Sequence, residues 1–322
     1  SLRSRMINNL DIRSYDYFSE NGIKNNLNYF LKNTISAGKN NIEYDSSPHI
    51  KFMNIFELAS SYPLVNINEN YSNYLEPRVS LRINPSDMKS YKNENRQINN
   101  DNLFNINRLG LIDTLESGQN LTLGLDYKKE NIFDPEKYLE VKFAGILRDT
   151  PEYKMPNSSS LQGKTSNLFG SIENKFSKYL TFNYDFSIDN NFNTFEYNNF
   201  TTKLSTNNFI TEFHFQESNG KIGDTNYLKN STSFNIDDNQ SLKFETRRNR
   251  KISLTEYYDF VYEYQNDCLT AALKYRKTYY EDRDALPKED LFFTITLFPL
   301  TTIDQKIDKK LYRDDNNNII WK

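Results

Sequence analysis

The sequence predicts an all-β chain. It reads as an antiparallel transmembrane β-barrel of outer-membrane type, an incomplete one, with about 14 to 16 strands. Three observations predict it. Long runs alternate with period two, which puts apolar and polar residues on opposite faces of a sheet. The joints alternate as well: Gln265-Asn266-Asp267 is a tight polar turn, whereas Glu281–Asp290 is longer, charged and carries Pro287. Short turns at one end and longer loops at the other are the habit of an outer-membrane barrel. Finally, Phe and Tyr number 23 each against a single Trp, beside a mean hydropathy of −0.80. Barrel strands average out in hydropathy because every second residue faces the lumen.

In chain order, Ser4–Phe18 and Asn26–Ala37 read as the first two strands, with a turn at Asn21-Gly22. Ile50–Ser60 is a third, although Phe52, Ile55, Phe56 and Ala59 also fit a short helix. Leu75–Ile83 is a strand with Pro77 near its start, where a missing N–H does least harm. Asn84–Asn102 and Asp149–Ser166 are polar and read as long loops. Between them Asn120–Lys128 alternates cleanly, and Tyr138–Arg148 sets Leu139, Val141, Phe143 and Leu147 against Glu140, Lys142 and Arg148. Later, Leu180, Phe182, Tyr184, Phe186 and Ile188 oppose Thr181, Asn183, Asp185, Ser187 and Asp189. Leu180, Phe182, Tyr184 and Phe186 are expected to face lipid, and Thr181, Asn183 and Asp185 the lumen. Asp237-Asp238-Asn239 is a tight turn. In Lys251–Pro299 three strands follow; the last is Leu291, Phe292, Phe293, Thr294, Ile295, Thr296, Leu297 and Phe298. Residues 1–303 are read as the barrel portion and 304–322 as a polar tail that leaves it.

A soluble β-sandwich also alternates. Two features favour the membrane. No helix separates the many strands. The charges Lys142, Asp185, Lys274 and Arg276 lie opposite the aromatics, where a barrel has a wet lumen.

Composition excludes other classes. A net charge of −3 over 322 residues carries no nucleic-acid footprint. No apolar run reaches transmembrane-helix length. His49, His214 and Cys268 have no metal-ligand spacing. Gly163-Lys164-Thr165 lacks the leading glycine of a phosphate loop. No Gly-x-Ser-x-Gly elbow occurs. The carboxylates are scattered along strands. No enzyme and no cofactor are expected.

Three segments carry a family resemblance. YEYQNDCLTAALKYRKTYYEDRD followed by LFFTITL resembles the C-terminal end of the lipopolysaccharide-assembly protein family LptD (OstA). LEPRVSLRINP, Leu75–Pro85, resembles that family's motif at Leu75, Glu76, Pro77 and Arg78. LFNINRLGLIDTLESGQNLTLGLDY, Leu103–Tyr127, resembles its segment of Phe, Arg, Gly and Asp before a Thr/Gly strand. The resemblance implies an integral protein of a Gram-negative outer membrane that inserts lipopolysaccharide into the outer leaflet. It implies a barrel lumen with a lateral gate, an LptE-like lipoprotein plug, and an LptA-like periplasmic bridge reached through an N-terminal domain. It makes Leu291–Phe298 the closing strand on one side of the gate. Family members carry a Cys pair near Asp267-Cys268; here Cys268 alone is left for an interdomain disulfide. The start at Ser1-Leu2-Arg3, without Met or signal peptide, is read as that of a fragment. Two other classes stay open from the residues: a passive porin with an inward constriction loop, and a soluble β-rich binding module.

Overall fold

The structure is a computed structural model that describes residues 2–40, 46–279, 288–297, 301–309, 311–313 and 319–321. Among them there is no α-helix, only a 3-10 turn at Asn157–Ser159. The strands are β1 (Leu2–Arg13), β2 (Tyr17–Phe18), β3 (Lys24–Lys39), β4 (His49–Ser61), β5 (Leu64–Ile67), β6 (Tyr71–Asn84), β7 (Gly118–Asn131), β8 (Tyr138–Arg148), β9 (Leu168–Ser177) and β10 (Leu180–Ile188). They continue with β11 (Phe195–Ser205), β12 (Phe209–Ser218), β13 (Thr225–Asn235), β14 (Gln240–Asn249), β15 (Leu254–Gln265), β16 (Leu269–Thr278), β17 (Lys288–Leu297) and β18 (Thr301–Lys309). Two short strands, β19 (Leu311–Arg313) and β20 (Ile319–Trp321), pair with each other.

The first 18 strands belong to one sheet, and every register given is antiparallel. β2 prolongs β1 along β3, and β5 prolongs β4 along β6. Counting each pair once leaves long strands at the upper end of the expected range. Ile50–Ser60 is strand, since its helix-compatible spacing yields to pairing with β3 on one side and β6 on the other. Pro77 lies in the middle of β6, not near its start. Its tolerance has a local cause. The β4–β6 ladder stops at Ser61↔Arg78 and β5–β6 resumes at Leu64↔Leu75, so Pro63 and Pro77 share one gap. Both missing N–H groups fall where the ladder is already interrupted.

The chain divides into two compact units. Unit 1 is Ser1–Asn174, Asp185–Tyr197 and Ser218–Asp224; unit 2 is Lys175–Tyr184, Asn198–Glu217 and Thr225–Lys322. In unit 1 one sheet face is apolar and bare: Phe56, Leu58, Val79, Leu81, Leu123, Leu125, Phe143 and Leu147 are all exposed. The opposite face is buried beneath the two long connections, 85–117 and 149–167. Both have cores of their own. Met88, Tyr91, Ile98, Leu103, Leu109, Leu111, Met155 and Leu161 pack with Ala144, Ile146 and Phe169 of the sheet. Leu115 joins Phe30, Met53 and Ile55. These segments, expected as polar loops, are thus the hydrophobic centre of the unit. In unit 2 the bare apolar face carries Phe213, Leu228, Phe244, Phe260, Leu273, Leu291, Phe293 and Leu297. Its other face is charged.

Leu291–Leu297 is not a terminal strand. It pairs with β16 on one edge and with β18 on the other, from Glu289↔Lys309 to Leu297↔Thr301. The sheet therefore runs past residue 303, and the polar composition from Asp304 onward reflects a strand with alternating polar residues rather than a tail. Phe298 lies outside the described residues. Both edges of β17 are occupied, by β16 and by β18, so it does not pair with β1.

One contact on the apolar face of unit 1 tests these assignments. The Phe186 ring lies over Gly170, with Cζ 2.1 Å from where a Cβ would stand, and its edge meets Phe143 and Phe195. Such aromatic cover compensates a strand glycine for its lack of packing. Gly170→Val forces the ring off and is expected to cost about 1–3 kcal/mol. The urea-unfolding midpoint should fall, and Phe186→Ala added to Gly170→Val should recover part of the loss. An unchanged midpoint would show that the ring does not sit there.

Candidate functional site

The site is the charged face of the sheet together with what covers it. In unit 1 it is built from alternate positions of β3, β4, β6, β7 and β8. Lys32, Glu57, Ser80, Arg82, Asn84, Asn120, Thr122 and Arg148 all point away from the apolar face and are buried. Each is used. The Glu57 carboxylate accepts from Arg82 Nε (2.6 Å), Ser80 Oγ (2.6 Å) and Asn28 Nδ2 (2.8 Å). Arg82 also donates to the Phe104 carbonyl at 2.6 Å. Lys32 Nζ donates to the Leu111 and Ile112 carbonyls at 2.7 and 2.9 Å. Asn84 Nδ2 reaches the Glu116 carbonyl at 2.7 Å. The strands thus hold the connection 85–117 by its backbone.

The connection answers with charges of its own. Glu116 accepts from Arg108 through both nitrogens of its fork, from Arg148 and from Asn120. Arg108 also donates to Thr122 Oγ1 at 3.0 Å. Burial pushes the Glu116 carboxyl up, but Arg108, Arg148 and Arg82 outweigh it and hold it below the usual carboxylate range. Asp113 collects Arg5 (3.2 Å), Lys89 (3.1 Å) and the Tyr91 hydroxyl (2.5 Å). Burial and the bond to Asp113 push Tyr91 well above the usual phenol range. At the rim, Lys154 binds Asp87 and holds its carboxyl low, which ties connection 149–167 to 85–117.

Arg78 bonds Asp126 at 3.1 Å, and its guanidinium lies 4.1 Å over the Phe104 ring. Phe104 packs on Gly124, where a Cβ would stand 2.7 Å from the ring. Two of the resembling segments, Leu75–Pro85 and Leu103–Tyr127, therefore meet. Leu75 pairs with Tyr127, Glu76 with Asp126 and Pro77 with Leu125 across the β6–β7 ladder. Beside them is a polar cavity of about 400 Å³ lined by Arg13, Lys24, Asn28, Glu57, Glu76, Arg78 and Phe104. Lys142 pairs with Glu140 at 3.1 Å and shares the parity of Ala144, Ile146 and Arg148. Asp185 shares the parity of buried Ser187, which bonds Asn167.

In unit 2, Asp259 is buried and accepts from Arg276 Nε (2.6 Å) and Lys274 Nζ (3.1 Å). Their neighbours Lys229, Lys243, Glu245, Arg247 and Glu263 form further pairs. Yet the Lys274 and Arg276 side chains keep 35% and 39% exposure, against 0% for Arg108 and 1% for Arg148. The unit 2 face is charged and half-open, whereas that of unit 1 is filled. Cys268 is exposed in the turn between β15 and β16, its N–H held by Asn266 Oδ1. Among the described residues no group of acidic, His or Cys side chains could hold a metal. The sequence reading missed Arg82, Arg108 and Glu116. Their signal was faint: charged residues at strand positions look lumenal whether water or a loop covers them.

Removing the Glu116 charge leaves Arg108 and Arg148 buried without their counter-ion, at a cost of about 3–5 kcal/mol. Glu116→Gln should loosen connection 85–117 and expose it to protease, with Arg96, Arg108 and Lys89 as trypsin sites; protection equal to the parent would refute the role. The pH response has a definite sign. A depressed folded-state pKa contributes stability above the ordinary carboxyl value near 4.5, and that stability is lost as pH falls through the lower folded value. Protection of the connection should therefore hold at neutral pH and fail in acid, and Glu116→Gln should flatten the dependence.

No curated protein matches the chain significantly. The family LptD, described as LPS transport system D, matches residues 28–239, more than half of the chain. The match takes in Leu75–Pro85 and Leu103–Tyr127; Lys251–Pro299 lies beyond it. An all-β antiparallel sheet, a bare apolar face backed by a charged one, and this match over the β3–β13 region agree, and the chain belongs to the LptD family of lipopolysaccharide-transport proteins.

Proposed function

We propose that the chain forms part of an outer-membrane barrel that passes lipopolysaccharide to the outer leaflet. The observation that carries this, beside family membership, is the separation of the two faces. Strands of 9 to 16 residues bear aromatic and aliphatic side chains on one side and charge on the other. No helix of the described residues is long and apolar enough to cross a membrane. A charge at bilayer depth costs on the order of 2 kcal/mol or more, so the face with Phe143 and Leu147 in unit 1, and that with Phe213 and Phe293 in unit 2, are the ones that meet lipid. The glycan of lipopolysaccharide needs a hydrated path, which the polar face offers, and the acyl chains need one that stays in hydrocarbon.

A passive porin is the second reading, since an inward-folded charged loop is what a porin constriction has. Here the loop residues Arg108, Asp113 and Glu116 are taken up in buried pairs, and the loop has an apolar core seated on the sheet. The half-open charged face of unit 2 is the seat for an LptE-like lipoprotein plug. The lateral gate requires a sheet edge that opens without breaking a full ladder; β17, paired on both sides, is not that edge. The periplasmic bridge, LptA-like, and a disulfide from Cys268 to a further domain complete the assembly. Cys268 lies at the short-turn end, with the connections 206–208 and 236–239, and short turns are periplasmic.

Two measurements test the reading. Photo-crosslinkers at Arg13, Asn28 and Arg78, in the polar cavity, should capture lipopolysaccharide in cells, and a lipoprotein should co-purify through crosslinkers at Lys243 and Lys274. Ion conductance through reconstituted protein without such captures would favour the porin. An impermeant thiol reagent should leave Cys268 unlabelled on intact cells and label it after the outer membrane is permeabilised; labelling of intact cells inverts the orientation.

A further inference from the structure

We infer that unit 2 carries a binding site for a phosphorylated lipid on its apolar face, at the end holding turn 250–253. This rests on the reading of that face as lipid-facing. The site is built from Arg248 and Arg250. Arg248 pairs with Leu228 across the β13–β14 ladder, so it shares the face of that exposed leucine. On its other side it pairs with Thr255 across the bulge in β15. Two residues on, the Arg250 N–H bonds the Asn226 carbonyl at 2.8 Å, and its guanidinium lies 5.2 Å from the centre of the Phe215 ring.

Both arginines are exposed, and among the described residues neither is paired with a carboxylate. The contrast with Arg247 is instructive: on the charged face, it pairs with Glu256 at 2.9 Å and covers Tyr227. Glu217, on the same face of β12 as Phe215, accepts from Asn226 Nδ2 at 2.8 Å. Directly along the strands the surface turns apolar: Phe244 stacks on Tyr258 at 6.1 Å, with Phe213 and Leu228 exposed beside them.

Two cations at the head of an apolar slope match one kind of molecule. Guanidinium groups bind phosphate oxygens through paired N–H donors, and long basic side chains at a bilayer edge place their charge among the headgroups. The cation–π contact with Phe215 orients Arg250 before a ligand arrives. The acyl chains then lie against Phe213, Leu228, Phe244 and Tyr258. A soluble anion would have no use for that slope, and a neutral lipid none for the arginines.

The test uses the full chain reconstituted in phosphatidylcholine vesicles with spin-labelled phosphatidic acid or spin-labelled phosphatidylcholine as probe. The motionally restricted fraction should favour phosphatidic acid. At about 1 kcal/mol per basic residue near the surface, or roughly fivefold each, Arg248→Gln/Arg250→Gln should lower that preference by about 25-fold. Arg248→Lys/Arg250→Lys should retain most of it, and Phe215→Ala should weaken it with both charges in place. Equal restriction of the two probes in well-reconstituted protein overturns the site alone. Failure of the parent chain to reconstitute overturns the lipid-facing reading beneath it. Competition by inorganic phosphate at the same concentration as phosphatidic acid would mean an anion site without a lipid requirement, and would also sink the proposal.

Discussion

The carboxylate of Glu116 between Arg108 and Arg148 is the contact on which unit 1 depends. Two arginines and a glutamate cannot be taken out of water separately; each would carry a desolvation cost of several kcal/mol. Together they neutralise one another, and one of them, Arg148, belongs to a strand while the other two belong to the inserted connection. The pairing therefore works only when the connection is seated. Glu57 with Arg82, and Lys32 with the Leu111 and Ile112 carbonyls, repeat the arrangement on other strands. Buried ion pairs of this kind add little net stability compared with apolar packing, but they reject other placements of the loop, since each misplacement strands a charge.

Packing then follows the charges. Phe104 fills the space left by Gly124 and takes Arg78 on its face, which fastens a loop aromatic to a strand guanidinium. The loop hydrophobes Met88, Leu103, Leu109 and Leu111 close over Ala144 and Ile146. Small residues sit on the sheet where large ones arrive from the loop. The result is a sheet whose polar face, in unit 1, is dry over much of its area, while the polar face of unit 2 keeps its charged rows half-exposed.

The outer face follows simpler rules. Its hydrophobes need no partners within the chain, so its exceptions are informative. Gly170 is roofed by Phe186, and the proline pair Pro63 and Pro77 sits at a single ladder gap. Arg248 and Arg250 are the basic residues that stand at the edge of the apolar slope in unit 2. At the C-terminal side, β18 covers the edge of β17, and the strand that looked terminal because its successor is polar is an interior one.

Period two, by itself, determined most of the strands and which residues share a face, because in a sheet the side a residue faces depends only on its parity; barrel and sandwich share that pattern. Leu180 to Phe186, Leu291 to Leu297 and Asn120 to Lys128 needed no tertiary information. Three short motifs pointed to the family, two of them inside the matched region. What parity could not decide is what lies against a polar face. Water and a folded loop ask for the same residues on the strand, so Arg82, Asn120 and Arg148 looked lumenal either way, and Asn84–Asn102 looked like a polar loop. Only the tertiary structure brings Glu116 of the loop to Arg148 of β8, 32 residues away, and makes the charged wall a socket.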